Sequence, residues 1–238
     1  MNKKDERQLK TPYFDKLKEY TESKPISLDV PGHKLGRLNN ELLEYTGPNI
    51  FKLDANAPKG LDNLSKPKGV IKEAQDLMAE AFGADHAYFL TNGTTQGILA
   101  VIMSVCRANH KILLPRNVHK SIINGLILSG AVPVFMKPNI DNSLGIANGV
   151  SVETVREAIN DNPDAKAVFL INPTYFGVVS DMREIVKLAH EHEMKVIVDE
   201  AHGGHFYFSD KLPLGAIEAG ADLAVVSTHK TIGSFTQS

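Results

Sequence analysis

Lys230 follows an apolar run, in a position where an amine can do chemistry. The run covers residues 221–226, Ala-Asp-Leu-Ala-Val-Val, and the polar residues Ser-Thr-His-Lys come directly after it. Such a run is typical of a buried strand in a parallel sheet, and open α/β sheets bind ligands at the carboxyl ends of their strands. A lysine amine held there can react with a carbonyl group. The alternative is a solvated lysine in a loop, and Lys230 alone does not decide between the two.

Polar side chains follow other apolar runs in the same way. Asp199 and His202 follow residues 195–198, and His119 follows residues 111–114. A carboxylate at the end of a buried strand is costly unless it is paired with a cation, so Asp199 is either the partner of a protonated pyridine ring or a structural cap. The two histidines either lie against a flat ring or are ordinary residues at the edge of the core. Because the carboxyl ends of parallel strands share one edge of the sheet, we expect these side chains to converge on the lysine.

Residues 91–97, Thr-Asn-Gly-Thr-Thr-Gln-Gly, form a turn that opens a predicted helix. Free backbone N–H groups and the helix dipole favour an anion at such a position, and the hydroxyls of Thr94 and Thr95 would add hydrogen-bond donors. The segment lacks the lysine of a nucleotide P-loop and the glycine spacing of a dinucleotide site. The turn therefore predicts a site for a single phosphate group, with a plain helix cap by Thr94 as the alternative.

A metal centre is the competing interpretation of one segment. Asp199, Glu200, His202 and His205 are close in sequence and are of metal-ligating types. A metal ion bound there would leave the threonine-rich turn and Lys230 without a role. We therefore predict that the chain carries no metal site.

From residue 70 onward, amphipathic helical patterns alternate with apolar runs of strand length. This alternation predicts an α/β fold of three layers, in which a mostly parallel sheet has helices on both faces. The predicted helices cover residues 70–82, a segment that ends near 107, and residues 121–129, 152–160 and 181–192. The predicted strands cover residues 87–90, 111–114, 132–136, 167–171, 195–198 and 224–227. We expect residues 1–30 to form a separate N-terminal helical segment and residues 31–238 to form the large domain.

Two local signals mark helix ends within this pattern. Gly83 is placed to end the first long helix, because glycine readily adopts the left-handed conformation of a helix C-terminus. Asp181 is followed three residues later by Glu184, which is a capping-box pattern and predicts the start of a helix.

The composition is that of an ordinary globular protein. Of the 238 residues, 42% are hydrophobic and 23% are charged, and the formal net charge is −2. This balance gives no reason to expect nucleic acid or an anionic membrane as a partner. The single cysteine, Cys106, excludes an internal disulfide. With no predicted signal peptide or membrane span, a cytoplasmic location is expected.

Six motifs in this order resemble those of the Orn/Lys/Arg decarboxylase family. That family belongs to the pyridoxal 5'-phosphate (PLP) enzymes with the aspartate-aminotransferase fold, and the resemblance runs from about residue 31 to the last residue. The motifs are Pro-Gly-His-Lys at 31–34, Thr-Asn-Gly-Thr-Thr at 91–95, Arg-Asn-Val-His-Lys-Ser at 116–121, Asn-Pro-Thr-Tyr at 172–175, Asp-Glu-Ala-His-Gly at 199–203 and Ser-Thr-His-Lys-Thr at 227–231.

The resemblance implies roles for individual residues. Lys230 is similar to the lysine that forms the Schiff base with PLP, and Asp199 to the partner of the pyridine nitrogen. His119 resembles the histidine that stacks on one face of the ring, with Ala201 under the other face. His202 lies where the family has a histidine near the phenolic oxygen or the substrate. The remaining cofactor-binding residues, mainly those around the phosphate, would be Gly93, Thr94, Thr95, Thr174, Ser227 and His229.

The resemblance also implies the reaction and the assembly. The chain is expected to decarboxylate arginine, lysine or ornithine with Lys230, His202 and Asp199 as catalytic residues, and to form a homodimer or a larger homo-oligomer when complete. It resembles the compact arginine or lysine decarboxylases of Gram-positive bacteria. An aminotransferase, another PLP enzyme of this fold or an inactive fragment would share Asp199 and Lys230, so these alternatives stay open.

The chain departs from the family pattern at its end. It stops at residue 238, whereas family members continue with a last sheet strand and a C-terminal domain. In this fold the last strand lies between the first strand, here predicted at 87–90, and the strand before Lys230. We therefore expect the sequence to be a fragment, to have little activity by itself, and to show a gap or a distorted pairing between these two strands.

Overall fold

The computed structural model describes residues 3–28, 30–37, 41–58 and 60–236. It divides into two compact units, Met1–Phe89 and Leu90–Ser238. The domain boundary predicted after residue 30 remains a prediction. No helix among the described residues is long and apolar enough to cross a membrane.

The first unit is built from short helices. Its longest helix buries an apolar stripe that includes Ile71, Leu77 and Phe82, and it ends at Gly83, which has a φ of +66° as the sequence predicted. The α-helices among its described residues are α1 (Lys3–Gln8), α2 (Pro12–Glu22), α3 (Glu41–Thr46), α4 (Pro48–Lys52) and α5 (Val70–Phe82).

Asp62 organises the loop that leads into α5. Its carboxylate oxygens accept hydrogen bonds from the backbone N–H groups of Asn63, Lys68, Gly69, Ile71 and Lys72, at 2.7 to 3.4 Å. The desolvation of the carboxylate would raise its pKa, but these backbone donors outweigh that effect and lower the pKa of Asp62 to about 2. Two of the donors belong to the first turn of α5, so Asp62 acts as a remote cap of that helix.

Asp62→Ala is expected to loosen residues 62–72 and to destabilise the first unit by on the order of 1 kcal/mol, as the loss of a helix cap does. Because the pKa of Asp62 is lowered in the folded chain, its stabilisation is present above the ordinary aspartate pKa and is lost as the pH falls towards 2. Hydrogen exchange should show faster exchange of the amides of residues 68–72. The exposed Asp85 offers the control Asp85→Ala, and equal protection in both variants would contradict this role.

The second unit contains a five-stranded parallel sheet with strand order β2-β1-β5-β6-β7. Its strands are β1 (Lys111–Pro115), β2 (Val132–Met136), β5 (Ala167–Ile171), β6 (Lys195–Glu200) and β7 (Leu223–Val226). Two short strands, β3 (Ile140–Asp141) and β4 (Ile146–Ala147), form an antiparallel pair in a segment for which the sequence predicted no strand. The helices are α6 (Gly93–Val105), α7 (Lys120–Ser129), α8 (Val152–Asp161), α9 (Met182–Glu191) and α10 (Thr228–Thr231).

The sheet has a hydrophobic core on each face, because successive strand residues point to opposite sides. Within β6, Val196 and Val198 pack into the core that contains α8 and α9, whereas Ile197 packs into the core that contains α6 and α7. The predicted fold class is thereby confirmed. The alternation also directs the next two residues of β6, Asp199 and Glu200, to opposite faces.

Residues 87–90 do not form the strand that the sequence predicted. Their apolar character suggested a strand, but a strand needs a neighbouring strand to satisfy its backbone groups. Among the described residues β7 pairs with β6 alone, so it is an edge strand of the sheet. The expected gap between two strands is not tested by this arrangement, because the first of the two predicted strands does not form.

Candidate active site

Lys230 lies in the short helix α10, directly after β7, and its side chain reaches His202. Its Nζ atom is 3.2 Å from Nε2 of His202, although the two residues are 28 positions apart in sequence. Burial and the charge of Lys230 lower the pKa of His202, and Asp199 opposes this effect. The Nε2 atom of a neutral His202 can accept a hydrogen bond from the Lys230 side chain. The pair is therefore suited to passing a proton between these two nitrogens.

Asp199 is 7% exposed at the carboxyl end of β6. Its Oδ1 atom accepts a hydrogen bond of 3.2 Å from the backbone N–H of Ala201. Burial raises the pKa of Asp199, while the N–H of Ala201 and the nearby side chains of Lys230, His119 and His202 lower it, with burial prevailing. A buried carboxylate in this condition would be stabilised by a further cation.

His119 caps the start of α7 and presents its ring to solvent. The Nδ1 atom accepts the backbone N–H of Ser121 at 3.2 Å and is 2.8 Å from the hydroxyl of the same residue. These contacts fix the orientation of the imidazole. Since His119 also acts electrostatically on Asp199, it lies near the same end of the sheet.

The predicted phosphate site is the beginning of α6. The helix starts at Gly93, which has a φ of +69° that favours glycine, and no side chain caps it. The hydroxyl oxygen of Thr94 is buried and has no hydrogen-bond partner among the described residues, whereas Thr95 is exposed. Gly97 lets this helix lie on β7, because a Cβ atom there would be 2.6 Å from Cγ1 of Val225. An unpartnered hydroxyl and free helix N–H groups therefore stand beside the end of the strand that precedes Lys230.

Ser227 and His229 follow the end of the same strand directly in sequence. Ser227 is fully buried, and its Oγ atom is 3.2 Å from Nδ1 of His229. Ala201 is buried directly after the end of β6. These three residues therefore share the sheet edge that holds Lys230 and Asp199.

Thr174 is placed differently from the other predicted residues. It is buried in the turn after β5, where its Oγ1 atom accepts the backbone N–H of Val178 at 3.2 Å. No hydrogen bond among the described residues joins it to another predicted site residue. The structure thus gives Thr174 a turn-forming contact, and its role at the cofactor stays a prediction.

The geometry does not support the metal alternative. Asp199 and Glu200 point to opposite faces of the sheet, so they cannot ligate one ion together. Among the residues that the structure describes, no group of three or more histidine, cysteine, aspartate or glutamate side chains could hold a metal ion.

The sequence analysis gave two side chains no role in the predicted cofactor site. The ring of Tyr175, which is 81% exposed, stands edge to face with the ring of His202 at a centroid distance of 5.8 Å. Glu200 is fully buried on the far side of β6. The available signals were the aromatic residue within the turn after β5 and the charged residue directly after Asp199.

The fold and the site together define a class: a doubly wound α/β domain with a lysine, a buried aspartate and histidines at one sheet edge. The sequence model of the major domain of Orn/Lys/Arg decarboxylases matches residues 11–238. The chain therefore belongs to the Orn/Lys/Arg decarboxylase family.

Individual relatives carry this comparison further. The chain is 49% identical to an arginine decarboxylase of Bacillus subtilis over 232 residues, which make up 97% of this chain and 47% of that protein. It is 29% identical to the biodegradative arginine decarboxylase of Escherichia coli, covering 97% of this chain and 34% of that protein. The solved structure of lysine decarboxylase A from Pseudomonas aeruginosa superimposes with a TM-score of 0.84 at 27% identity, over 97% of this chain and 34% of that one. The chain thus spans about half the length of the Bacillus subtilis relative. It spans about a third of the length of the other two proteins.

Proposed function

We propose that the chain binds PLP and takes part in the decarboxylation of a basic amino acid, with arginine ahead of lysine and ornithine. The observation that carries the proposal is the buried carboxylate of Asp199, which forms no ion pair with another described residue and lies close to Lys230, His119 and His202. A protonated pyridine ring is a cation that a buried carboxylate at this position would stabilise. Arginine is favoured because the Bacillus subtilis relative at 49% identity is an arginine decarboxylase.

The residues present fit PLP at both of its ends. The buried, unpartnered hydroxyl of Thr94 and the start of α6 would hold the phosphate, together with Ser227 and His229. The exposed ring of His119 would lie against the pyridine ring. When bound, PLP supplies an electron sink for the pair of electrons released as carbon dioxide leaves.

The side chains of this chain would perform three tasks around that sink. Asp199 would keep a proton on the pyridine nitrogen, since a buried anion favours the protonated form of a neighbouring base. Lys230 would bind the aldehyde carbon of PLP through its Nζ atom. Nε2 of His202 would take up a proton from Lys230, whose nitrogen is 3.2 Å away, and pass it to the α-carbon. Because the pKa of His202 is lowered, its protonated ring would give up this proton readily.

Assembly as a homo-oligomer and a cytoplasmic location belong to the same proposal, and both rest on the family resemblance. The catalytic test uses the protein purified from its source cells, incubated with arginine, lysine or ornithine labelled at the carboxyl carbon. We expect PLP-dependent release of labelled carbon dioxide, fastest from arginine. Transfer of the amino group to a 2-oxo acid without carbon dioxide release would refute decarboxylation and indicate an aminotransferase.

A further inference from the structure

Glu200 is a buried carboxyl group for which the proposed chemistry has no use. It has no exposed surface, and both of its carboxylate oxygens accept hydrogen bonds. Its Oε2 atom accepts the hydroxyl of Tyr207 at 2.5 Å, and its Oε1 atom accepts the backbone N–H of Ala216 at 2.9 Å. The Tyr207 oxygen in turn accepts the backbone N–H of Ile217 at 3.2 Å. We call these four residues the Glu200 clamp.

The clamp closes the loop that carries His202. Glu200 stands immediately before residues 201–206, and the other three clamp residues come after them in sequence. The bond between Glu200 and Tyr207 therefore ties the two ends of this loop together on the face of the sheet opposite Asp199. His202 lies between the tied ends, on the side of Lys230.

Two glycines show how closely the loop is packed. A Cβ atom on Gly203 would be 2.6 Å from Cγ of Glu200 and 2.8 Å from the carbonyl oxygen of Asn172. A Cβ atom on Gly204 would be 2.6 Å from Cγ1 of Val226, the last residue of β7. The loop is thus wedged between the end of β5 and the end of β7, so a movement of the clamp must move His202.

We propose that the Glu200 clamp positions His202 beside Lys230, which makes Glu200 and Tyr207 positioning residues for the site. Calling Glu200 and Tyr207 positioning residues of the site rests on the proposed function, because that function is what makes this edge a site. The coupling of the clamp to His202 is a property of the folded chain without PLP.

The electrostatics make the clamp sensitive to loss of a donor. Burial raises the pKa of Glu200 to about 7, although hydrogen bonds from Tyr207, Ala216 and Asn172 lower it, and Glu218 adds to the rise. Removing the Tyr207 hydroxyl leaves Oε2 of a buried carboxyl without its donor and the N–H of Ile217 without its acceptor. Unpaired buried groups of this kind are expensive, so the loop is expected to open towards water.

The test measures the pKa of His202 by NMR in the PLP-free chain, in Tyr207→Phe and in Glu200→Gln. The His202 signal among the nine histidines is assigned by its disappearance in His202→Asn. Burial and Lys230 hold the pKa of His202 below its ordinary value, with Asp199 opposing them. In both clamp variants we expect the pKa of His202 to rise towards that ordinary value, because the ring becomes more solvated and leaves the lysine.

Ile159→Val is the matched control. Ile159 is fully buried in α8, which packs against β1, β2 and α9, and none of these elements carries one of the four clamp residues. The substitution Ile159→Val should lower the melting temperature of the chain without shifting the pKa of His202. An unchanged His202 pKa in folded Tyr207→Phe would overturn the proposal, as would an equal shift in Ile159→Val. If Glu200→Gln does not fold, Tyr207→Phe alone decides. None of these outcomes depends on PLP binding or turnover, so failure of the clamp is distinguishable from failure of the proposed function.

Discussion

Lys230→Ala is expected to abolish the visible absorbance that the chain develops with PLP. Lys230 is the amine at the sheet edge next to His202, and a lysine joined to the aldehyde of PLP is what colours the protein. After reduction with borohydride, peptide mapping of the unmodified chain should place the cofactor label on the peptide that contains Lys230. The variant should lose this label entirely.

The exposed Lys187 on α9 provides the control for this experiment. Lys187→Ala removes the same side chain from a surface away from the predicted site, and it should leave both the absorbance and the label unchanged. Full labelling of Lys230→Ala at another lysine would show that the amine has been assigned to the wrong residue.

Asp199→Asn is expected to lower turnover by about 10²-fold or more, which is the typical cost of removing one preorganised electrostatic group from an active site. The substitution preserves the size of the side chain and an oxygen for the N–H of Ala201, so PLP binding should survive. Only the negative charge that would keep the pyridine nitrogen protonated is lost. Turnover is measured on the catalytically active protein, and an unchanged rate would leave Asp199 with a structural role alone.

The same substitution should have the opposite effect on stability in the PLP-free chain. Burial raises the pKa of Asp199 in the folded state, so the anion opposes folding at pH values above that raised pKa. Asp199→Asn should therefore melt at a higher temperature than the unmodified chain at neutral pH. The difference should shrink as the pH falls and Asp199 becomes protonated in both states. A lower melting temperature at neutral pH would contradict this account of the carboxylate.

Local signals were enough to predict most helices and strands. Val70–Phe82 and Val132–Met136 have the predicted bounds, and the side chain of Asp181 accepts the N–H of Glu184 as the cap pattern indicated. Such features depend on hydrophobic period and on contacts a few residues apart, which the order of amino acids already contains. The order of strand ends also predicted which polar side chains would meet at one edge, because parallel connectivity places those ends together.

Residues 87–90 illustrate the first limit of the sequence. An apolar run becomes a strand only where another strand accepts its hydrogen bonds, and pairing of that kind is not written in the run itself. The end of β6 shows a related effect. The predicted strand stopped at residue 198, but pairing with β5 and β7 extends it through Asp199 and Glu200.

Glu200 and Tyr175 illustrate the second limit. A glutamate beside Asp199 resembles a ligand or a solvated charge in the sequence, and only the three-dimensional fold shows that Tyr207 and Ala216 satisfy it in the core. Tyr175 and His202 are 27 residues apart, yet their rings meet because β5 and β6 are neighbours. Contacts of this kind arise from the packing of loops that follow different strands. The types of residue and their local spacing therefore predict the chemistry of this edge, while the partners of each side chain depend on how the whole sheet is packed.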